Sequence, residues 1–232
     1  PRPDGAAYAT LAAGYNHNLM LREDGTVVAW GRNDGGQLGN GTKEPGTSAT
    51  VVSGLSDVVS VHAGGDNSFA LRSDGTVWAW GHNRFDTLGT GVSGNHLTPV
   101  QVTGVSDIVH LSSSGTHTLA VDGDGTVWGW GSNSYGVLGD GTTEFRAFPV
   151  SVPGLTDIVQ VVAGTNYFSL ALKADGTVSM RSVGSEAKPS SGRGVLRSLP
   201  TEALNSRNSS VTSAHTVCTP RSSDPVSQHP LR

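Results

Sequence analysis

The tetrapeptide Asp-Gly-Thr-Val returns at Asp24, Asp74, Asp124 and Asp175 and divides the chain into units about fifty residues long. A repeat of that period constrains the fold before anything else does, because each unit must be a small element that buries its apolar surface against its neighbours. The match runs through whole units. Trp30, Trp80 and Trp130 stand six places after the Asp, and Asn33, Asn83 and Asn133 three places later. Leu38-Gly39, Leu88-Gly89 and Leu138-Gly139 follow in register, as do Gly41, Gly91 and Gly141, and Asp57, Asp107 and Asp157 are again fifty apart. Only the fourth unit slips, by one residue, in the stretch that reads Asn166-Tyr167-Phe168.

Within one unit the pattern predicts four short strands, Val58–His62, Asn67–Arg72, Thr76–Gly81 and roughly Thr98–Val102, separated by Gly, Asp and Asn clusters. Alternation puts Trp78 and Trp80 on one face and Val77 and Ala79 on the other, so both faces are apolar and both must be covered. The small partner recurs as Ala29, Ala79 and Gly129, which lets a neighbouring sheet approach closely on one side while the indoles fill the other. Blades stacked around an axis meet that demand, whereas a two-layer sandwich needs no identical unit every fifty residues. Asp-Gly between two β-rich runs predicts a hairpin with positive φ. The Gly-x-Asn-x-x-Gly-x-Leu-Gly-x-Gly segment after the Trp predicts a compact loop in which the Asn side chain hydrogen-bonds the backbone.

The stretches DGTVWAWGHN, LGTG, DIVHL and DVVSVHAG resemble the repeat of the regulator of chromosome condensation family over residues 1 to about 178. The resemblance implies an all-β fold, a β-propeller of that type, here an incomplete ring of three full blades plus part of a fourth, where the family forms seven. Repeats are placed near 1–57, 58–107, 108–157 and 158–178. The kelch repeat has a similar period, but its double glycine followed by spaced Tyr and Trp is absent in any regular form.

After Val178 the frame calls for Trp-Ala-Trp-Gly and the chain reads Ser179-Met180-Arg181-Ser182. Ser179 and Arg181 stand where Trp128 and Trp130 would recur, so the fourth blade is not expected to complete itself as the others do. Residues 179–232 hold 13 Ser, six Arg and five Pro with no Phe, Tyr or Trp, a composition that cannot bury enough surface to offset its ordering entropy. The abrupt loss of pattern in mid-strand marks this tail as an out-of-frame translation or a disordered extension, and the coding nucleotides after Val178, read in the other two frames, decide between them. At the other end Tyr8 to Gly14 aligns with Val58 to Gly64, so the natural start is expected to lie upstream, and no signal-peptide pattern is seen.

Charge is uneven: residues 1–178 carry 16 Asp/Glu against 8 Lys/Arg, and residues 179–232 carry 3 against 7. An acidic body argues against nucleic-acid binding, which needs clustered cations. No apolar run approaches the length of roughly eighteen residues that a membrane helix needs. The lone Cys218 excludes an internal disulfide and any multi-cysteine zinc site.

His17 and His117 share a repeat position that Asn67 interrupts, so a ring of metal ligands gives way to hydrogen bonding at a strand start. Asp24, Asp74, Asp124 and Asp175 are expected to serve turns rather than acid–base chemistry. Asp122-Gly123-Asp124-Gly125 lacks the remaining ligands of a calcium loop. His62, His96 and His110 have no companion at ligand spacing and read as surface polar residues. No nucleophile elbow or phosphate-binding loop is present. No catalytic residue, metal or cofactor is expected.

A binding surface needs variation where the scaffold needs sameness, and the frame varies after Asn33, Asn83 and Asn133 as Asp34-Gly35-Gly36, Arg84-Phe85-Asp86 and Ser134-Tyr135-Gly136. Aromatic and Arg residues anchor interfaces, so His82, Arg84, Phe85 and Tyr135 are the candidate contact patch, against the alternative that these aromatics pack on their own loop. The expected function is a non-enzymatic scaffold for a protein partner, with self-association through open blade faces. The resemblance implies guanine-nucleotide exchange on a small GTPase as the alternative. The founding members pair exchange with nucleosome binding through a basic arm that this chain lacks, and exchange depends on a complete ring. Inhibition of a secreted enzyme is a third class, with no matching motif.

Overall fold

The structure, a computed structural model, describes residues 11–165 and 168–181. Among them every regular element is a strand. Four antiparallel sheets follow one another along the chain, each ordered as a simple meander. The first holds β1 (Leu11–Ala13), β2 (His17–Leu21), β3 (Val27–Gly31) and β4 (Gly46–Val51). The second holds β5 (Val58–Gly64), β6 (Asn67–Arg72), β7 (Val77–Gly81) and β8 (His96–Gln101). The third holds β9 (Ile108–Ser113), β10 (His117–Asp122), β11 (Val127–Gly131) and β12 (Arg146–Ser151), and the fourth β13 (Ile158–Ala163), β14 (Ser169–Lys173) and β15 (Val178–Arg181). These are consecutive blades of an incomplete propeller, three full and one partial.

The fourth sheet keeps register through the break in the repeat. Ser169 pairs with Arg181 and Ala171 with Ser179, as Thr118 pairs with Trp130 and Ala120 with Trp128. The tail from residue 182 onward lies outside the described residues, as do Asn166 and Tyr167.

Each Asp-Gly hairpin closes as a four-residue turn that needs positive φ at one position only. Gly25 N–H donates to the Arg22 carbonyl at 3.0 Å, and within the turn only the glycine has positive φ, +80°. Asp24 accepts from both the N–H and the hydroxyl of Thr26, at 2.9 and 2.6 Å, and Asp74 and Asp175 repeat the pattern with Thr76 and Thr177. The third blade departs from the sequence expectation. There Asp122, not Asp124, receives the Thr126 N–H at 2.9 Å.

The core lies between blades rather than within them. Leu19, Leu21, Val27, Ala29 and Leu38 of the first blade pack on Val58, Val61, Ala70 and Trp80 of the second. Phe69, Leu71, Val77, Ala79 and Leu88 pack in the same way on Ile108, Leu111, Ala120 and Trp130 of the third. The small Ala29 and Ala79 therefore face the next blade's indole, as the alternation of small and large residues predicts. Each buried indole is also fixed by a hydrogen bond backwards along the stack. Trp80 Nε1–H donates to the Gln37 carbonyl at 3.0 Å and Trp130 Nε1–H to the Thr87 carbonyl at 2.8 Å. The invariant Leu-Gly step of the repeat has its reason here: a Cβ on Gly39 or Gly89 would lie 2.7 Å from the indole of Trp80 or Trp130, and both glycines have positive φ.

Candidate interaction face

The loops that leave β3, β7 and β11 are held by their asparagines. Asn83 is buried; its Oδ1 accepts from Leu88 N–H at 3.0 Å and its Nδ2 donates to the Val92 carbonyl at 2.9 Å. Asn33 and Asn133 make the same bond to Leu38 and Leu138, so one side chain closes each loop at both ends. The expected side-chain-to-backbone bonding holds in all three blades.

On that fixed base the second blade is distorted. Phe85 has φ +82° and Asp86 φ +54°, whereas at the equivalent pairs 35–36 and 135–136 only the second position, a glycine, is left-handed. A bulky residue at positive φ persists only where its surroundings hold it there. Two contacts do so: the Arg84 guanidinium carbon sits 4.9 Å from the Phe85 ring centroid, and Phe145 of the third blade stacks with the ring, centroids 6.2 Å apart at 28°. Phe145 is 49% exposed. The result is an Arg–Phe–Phe stack across two blades, open to solvent at its rim.

The four candidate residues thus separate. Arg84 and Phe85 meet. His82 lies at the base of the loop, where its Cβ would come within 3.2 Å of a Cβ on Gly35, and its N–H donates to the Asp66 carbonyl at 3.0 Å. Tyr135 takes Phe85's place in the third blade's loop and is 49% exposed. Phe85 contacts both its own loop, through Arg84, and the neighbouring blade, through Phe145. Phe145 escaped the sequence reading although it too varies within the frame, standing where the first two units have Pro45 and Asn95.

The histidines knit blades together. His17 and His117 are buried, and their Nε2 atoms meet the hydroxyls of Ser68 and Ser169 in the next blade at 2.9 and 3.0 Å. Burial pushes each pKa down to about 4. Asn67, in the same position, takes a bond from Ser113 Oγ at 3.2 Å. His62 and His110, expected as separate surface groups, are instead neighbours on the first strands of adjacent blades, rings 6.3 Å apart at 71°. His62 Nε2 also meets Ser60 Oγ at 3.0 Å, and His96 Nε2 meets Thr90 Oγ1 at 2.9 Å. Strands β5 and β9 lie side by side only once the blades stack, which spacing along the chain does not reveal.

Known proteins match this architecture. The family model described as the regulator of chromosome condensation (RCC1) repeat fits residues 24–71, 74–121 and 124–172, and a second model of the same description fits residues 8–37, 58–86 and 108–137. The X-linked retinitis pigmentosa GTPase regulator homolog of Caenorhabditis elegans is 47% identical over 49 residues, 21% of this chain and 4% of that protein. The crystal structure of human WBSCR16 superposes with a TM-score of 0.66 at 27% identity, over 74% of this chain and 46% of that one. Prp20p of Saccharomyces cerevisiae, a structure described with its binding properties to Gsp1p and histones, gives 0.64 at 24% identity, over 73% and 44%. The chain spans less than half the length of each of these proteins.

Proposed function

The chain belongs to the regulator of chromosome condensation (RCC1) repeat family, and from that premise we propose that it is a non-enzymatic scaffold that binds a protein partner through the loop face of its second and third blades. The observation that carries this reading is the strained, solvent-rimmed stack of Arg84, Phe85 and Phe145 on an otherwise repetitive frame. Strain that the scaffold does not need is a sign of use, and Arg beside exposed aromatics is the composition of an interface anchor. His82, at the base of the same loop, and Tyr135, at the equivalent place in the third blade's loop, are the further candidates for contact. The partners of Prp20p remain that protein's own, since its likeness to this chain is one of fold.

A photo-crosslinking amino acid at position 85 tests the reading. It is expected to capture one protein reproducibly, while the same probe at Val51 on β4, 56% exposed, captures none. Phe85→Gly is expected to weaken that complex at least about tenfold, the loss of a single strong anchor. Its unfolding free energy should stay within about 1 kcal/mol of the parent, because glycine adopts the φ of this site without strain. Equal capture at both positions, or undiminished binding by the glycine variant, overturns the assignment.

Self-association is a second reading, supported by the first sheet. Leu11 is 65% exposed, whereas Val61 and Leu111, its equivalents, are 1% and 2% exposed because a preceding blade covers them. Such a face invites a further sheet. Sedimentation velocity should show mass rising with concentration in the parent and a monomer in Leu11→Asp; identical behaviour of the two proteins removes this surface from the account.

A further inference from the structure

Four repeats in one chain provide an internal control, and one position breaks it. At one repeat position, the last residue of β6, β10 and β14 and the residue just after β2, stand Arg72, Asp122, Lys173 and Arg22: three cations and one acid. Arg72 shows what the cation does. Its Nε–H donates to the Ser56 carbonyl at 2.8 Å, and Nη2 donates to Ser56 Oγ at 3.1 Å and to Asp57 Oδ2 at 3.2 Å. Asp74 lies 3.9 Å from Nη1, and the guanidinium carbon is 5.8 Å from the centroid of the Trp78 ring. The second blade thus contains a complete guanidinium receptor, occupied by its own side chain.

The third blade keeps the receptor and lacks the occupant. Ser106, Asp107, Asp124 and Trp128 hold the places of Ser56, Asp57, Asp74 and Trp78. The serine–aspartate part of the receptor is set in the same way: Ser106 Oγ donates to Asp107 Oδ2 at 3.1 Å, as Ser56 Oγ does to Asp57 Oδ2 at 2.8 Å. Asp122 itself is tied into the hairpin, accepting the N–H groups of Thr126 and Asp124 on Oδ1 and the Trp128 indole N–H on Oδ2, at 2.9, 3.1 and 2.9 Å. What opens is a cleft of about 540 Å³ walled by Ser106, Asp107, Asp122, Asp124 and the Trp128 indole, with no Lys or Arg in its lining. It lies at the hairpin end of β10 and β11, the opposite end of β11 from the loop that carries Tyr135.

We propose that this cleft binds the guanidinium of an arginine side chain supplied by a partner protein, taking the place that Arg72 fills in the adjacent blade. The chemistry favours Arg over Lys because the sister site engages two parallel donors on one edge of a planar fork, Nε–H and Nη2–H, and sets it near an indole. The carboxylates of Asp107, Asp122 and Asp124 supply the countercharge, and the half-buried Trp128 supplies the aromatic wall. This goes beyond the loop-face reading, uses none of its residues and stands or falls separately.

The test is an NMR titration of the full chain, carrying ¹⁵N-labelled indoles, with an acetylated Gly-Arg-Gly amide and its citrulline counterpart, which has the shape of arginine without the charge. The Trp128 indole resonance is expected to shift saturably with the arginine peptide and at least about tenfold more weakly with citrulline. Asp122→Arg places a guanidinium on the third blade's own strand and should abolish the response; Asp107→Asn should weaken it several-fold. Arg72→Asp should open the second receptor, raising the stoichiometry from one to two and bringing in the Trp78 indole. In every variant the remaining indole resonances report that the fold is kept. No shift at Trp128, an equal response to citrulline, or undiminished binding by Asp122→Arg overturns the proposal, whatever becomes of the loop face.

Discussion

Acidification from pH 7 to pH 4 is expected to remove most of the stability of the blade stack, through His17 and His117. Each is buried and neutral, its Nε2 on a hydroxyl of the next blade, and His17 Nδ1 has no hydrogen-bond partner among the described residues. Desolvation lowers both folded-state pKa values from 6.5 to about 4; for His17 the Asp66 carboxylate opposes the shift without cancelling it. The unfolded chain therefore binds more protons between pH 6.5 and 4. Stability from this source is complete above the unfolded value, falls as pH drops below about 6.5 and is fully lost near 4. A shift of this size corresponds to roughly 3 kcal/mol per histidine, and two of them to a sum comparable with the whole net stability of an ordinary domain. His62, lowered to about 3 by burial and then by the nearby His110, acts in the same direction. The carboxylates at the turns, Asp24 and Asp74 among them, are held below their ordinary 3.8 by bonds from Thr26 and Thr76 and lose their contribution only at lower pH. Denaturant unfolding at pH 7, 6, 5 and 4 measures the slope. His17→Asn combined with His117→Asn, which copies the natural Asn67, should flatten most of it; an unchanged slope in that variant refutes the assignment.

Trp130→Ala is expected to cost about 3–5 kcal/mol, among the largest losses expected from one core side chain of the described residues, alongside Trp80. The indole is fully buried between the second and third blades, touches Gly89 and donates to the Thr87 carbonyl. Trp128, two residues away on the same face of the strand, is only half-buried, so Trp128→Ala should cost less than about half as much. Gly89→Ala probes the same contact from the other side. Its Cβ would come within 2.7 Å of the Trp130 ring at a φ of +70°, and overpacking together with left-handed strain should cost about 2–4 kcal/mol. Urea unfolding of the three variants gives the ranking, and equal losses at Trp128 and Trp130 contradict a core that lies between blades.

Much of this architecture is written in the chain because the repeat samples it several times. The fifty-residue period, the four strands per unit, the turns at Asp24 and Asp74 and the loop-closing role of Asn33, Asn83 and Asn133 all follow from residues that recur in one place for one local reason. Relations between blades are different. The bond from His17 to Ser68, the meeting of His62 with His110 and the stack of Phe85 on Phe145 join residues about fifty or sixty positions apart, and no local pattern encodes which side chains the stacking brings together. The positive φ of Phe85 is equally silent, since neither residue type nor frame position asks for it. Asp122 was legible and still escaped: a run of Arg, Arg, Asp, Lys at one repeat position is visible by inspection, but its meaning depends on seeing what Arg72 binds.

The central functional claim is binding without catalysis of nucleotide exchange, and a fluorescent-nucleotide release assay on purified small GTPases addresses it most directly. The account predicts that release stays at its intrinsic rate when the chain is added in excess, including for any GTPase that the position-85 probe captures. Release accelerated by the chain and returned to the intrinsic rate by Phe85→Gly would contradict the scaffold reading and make the loop face an exchange site.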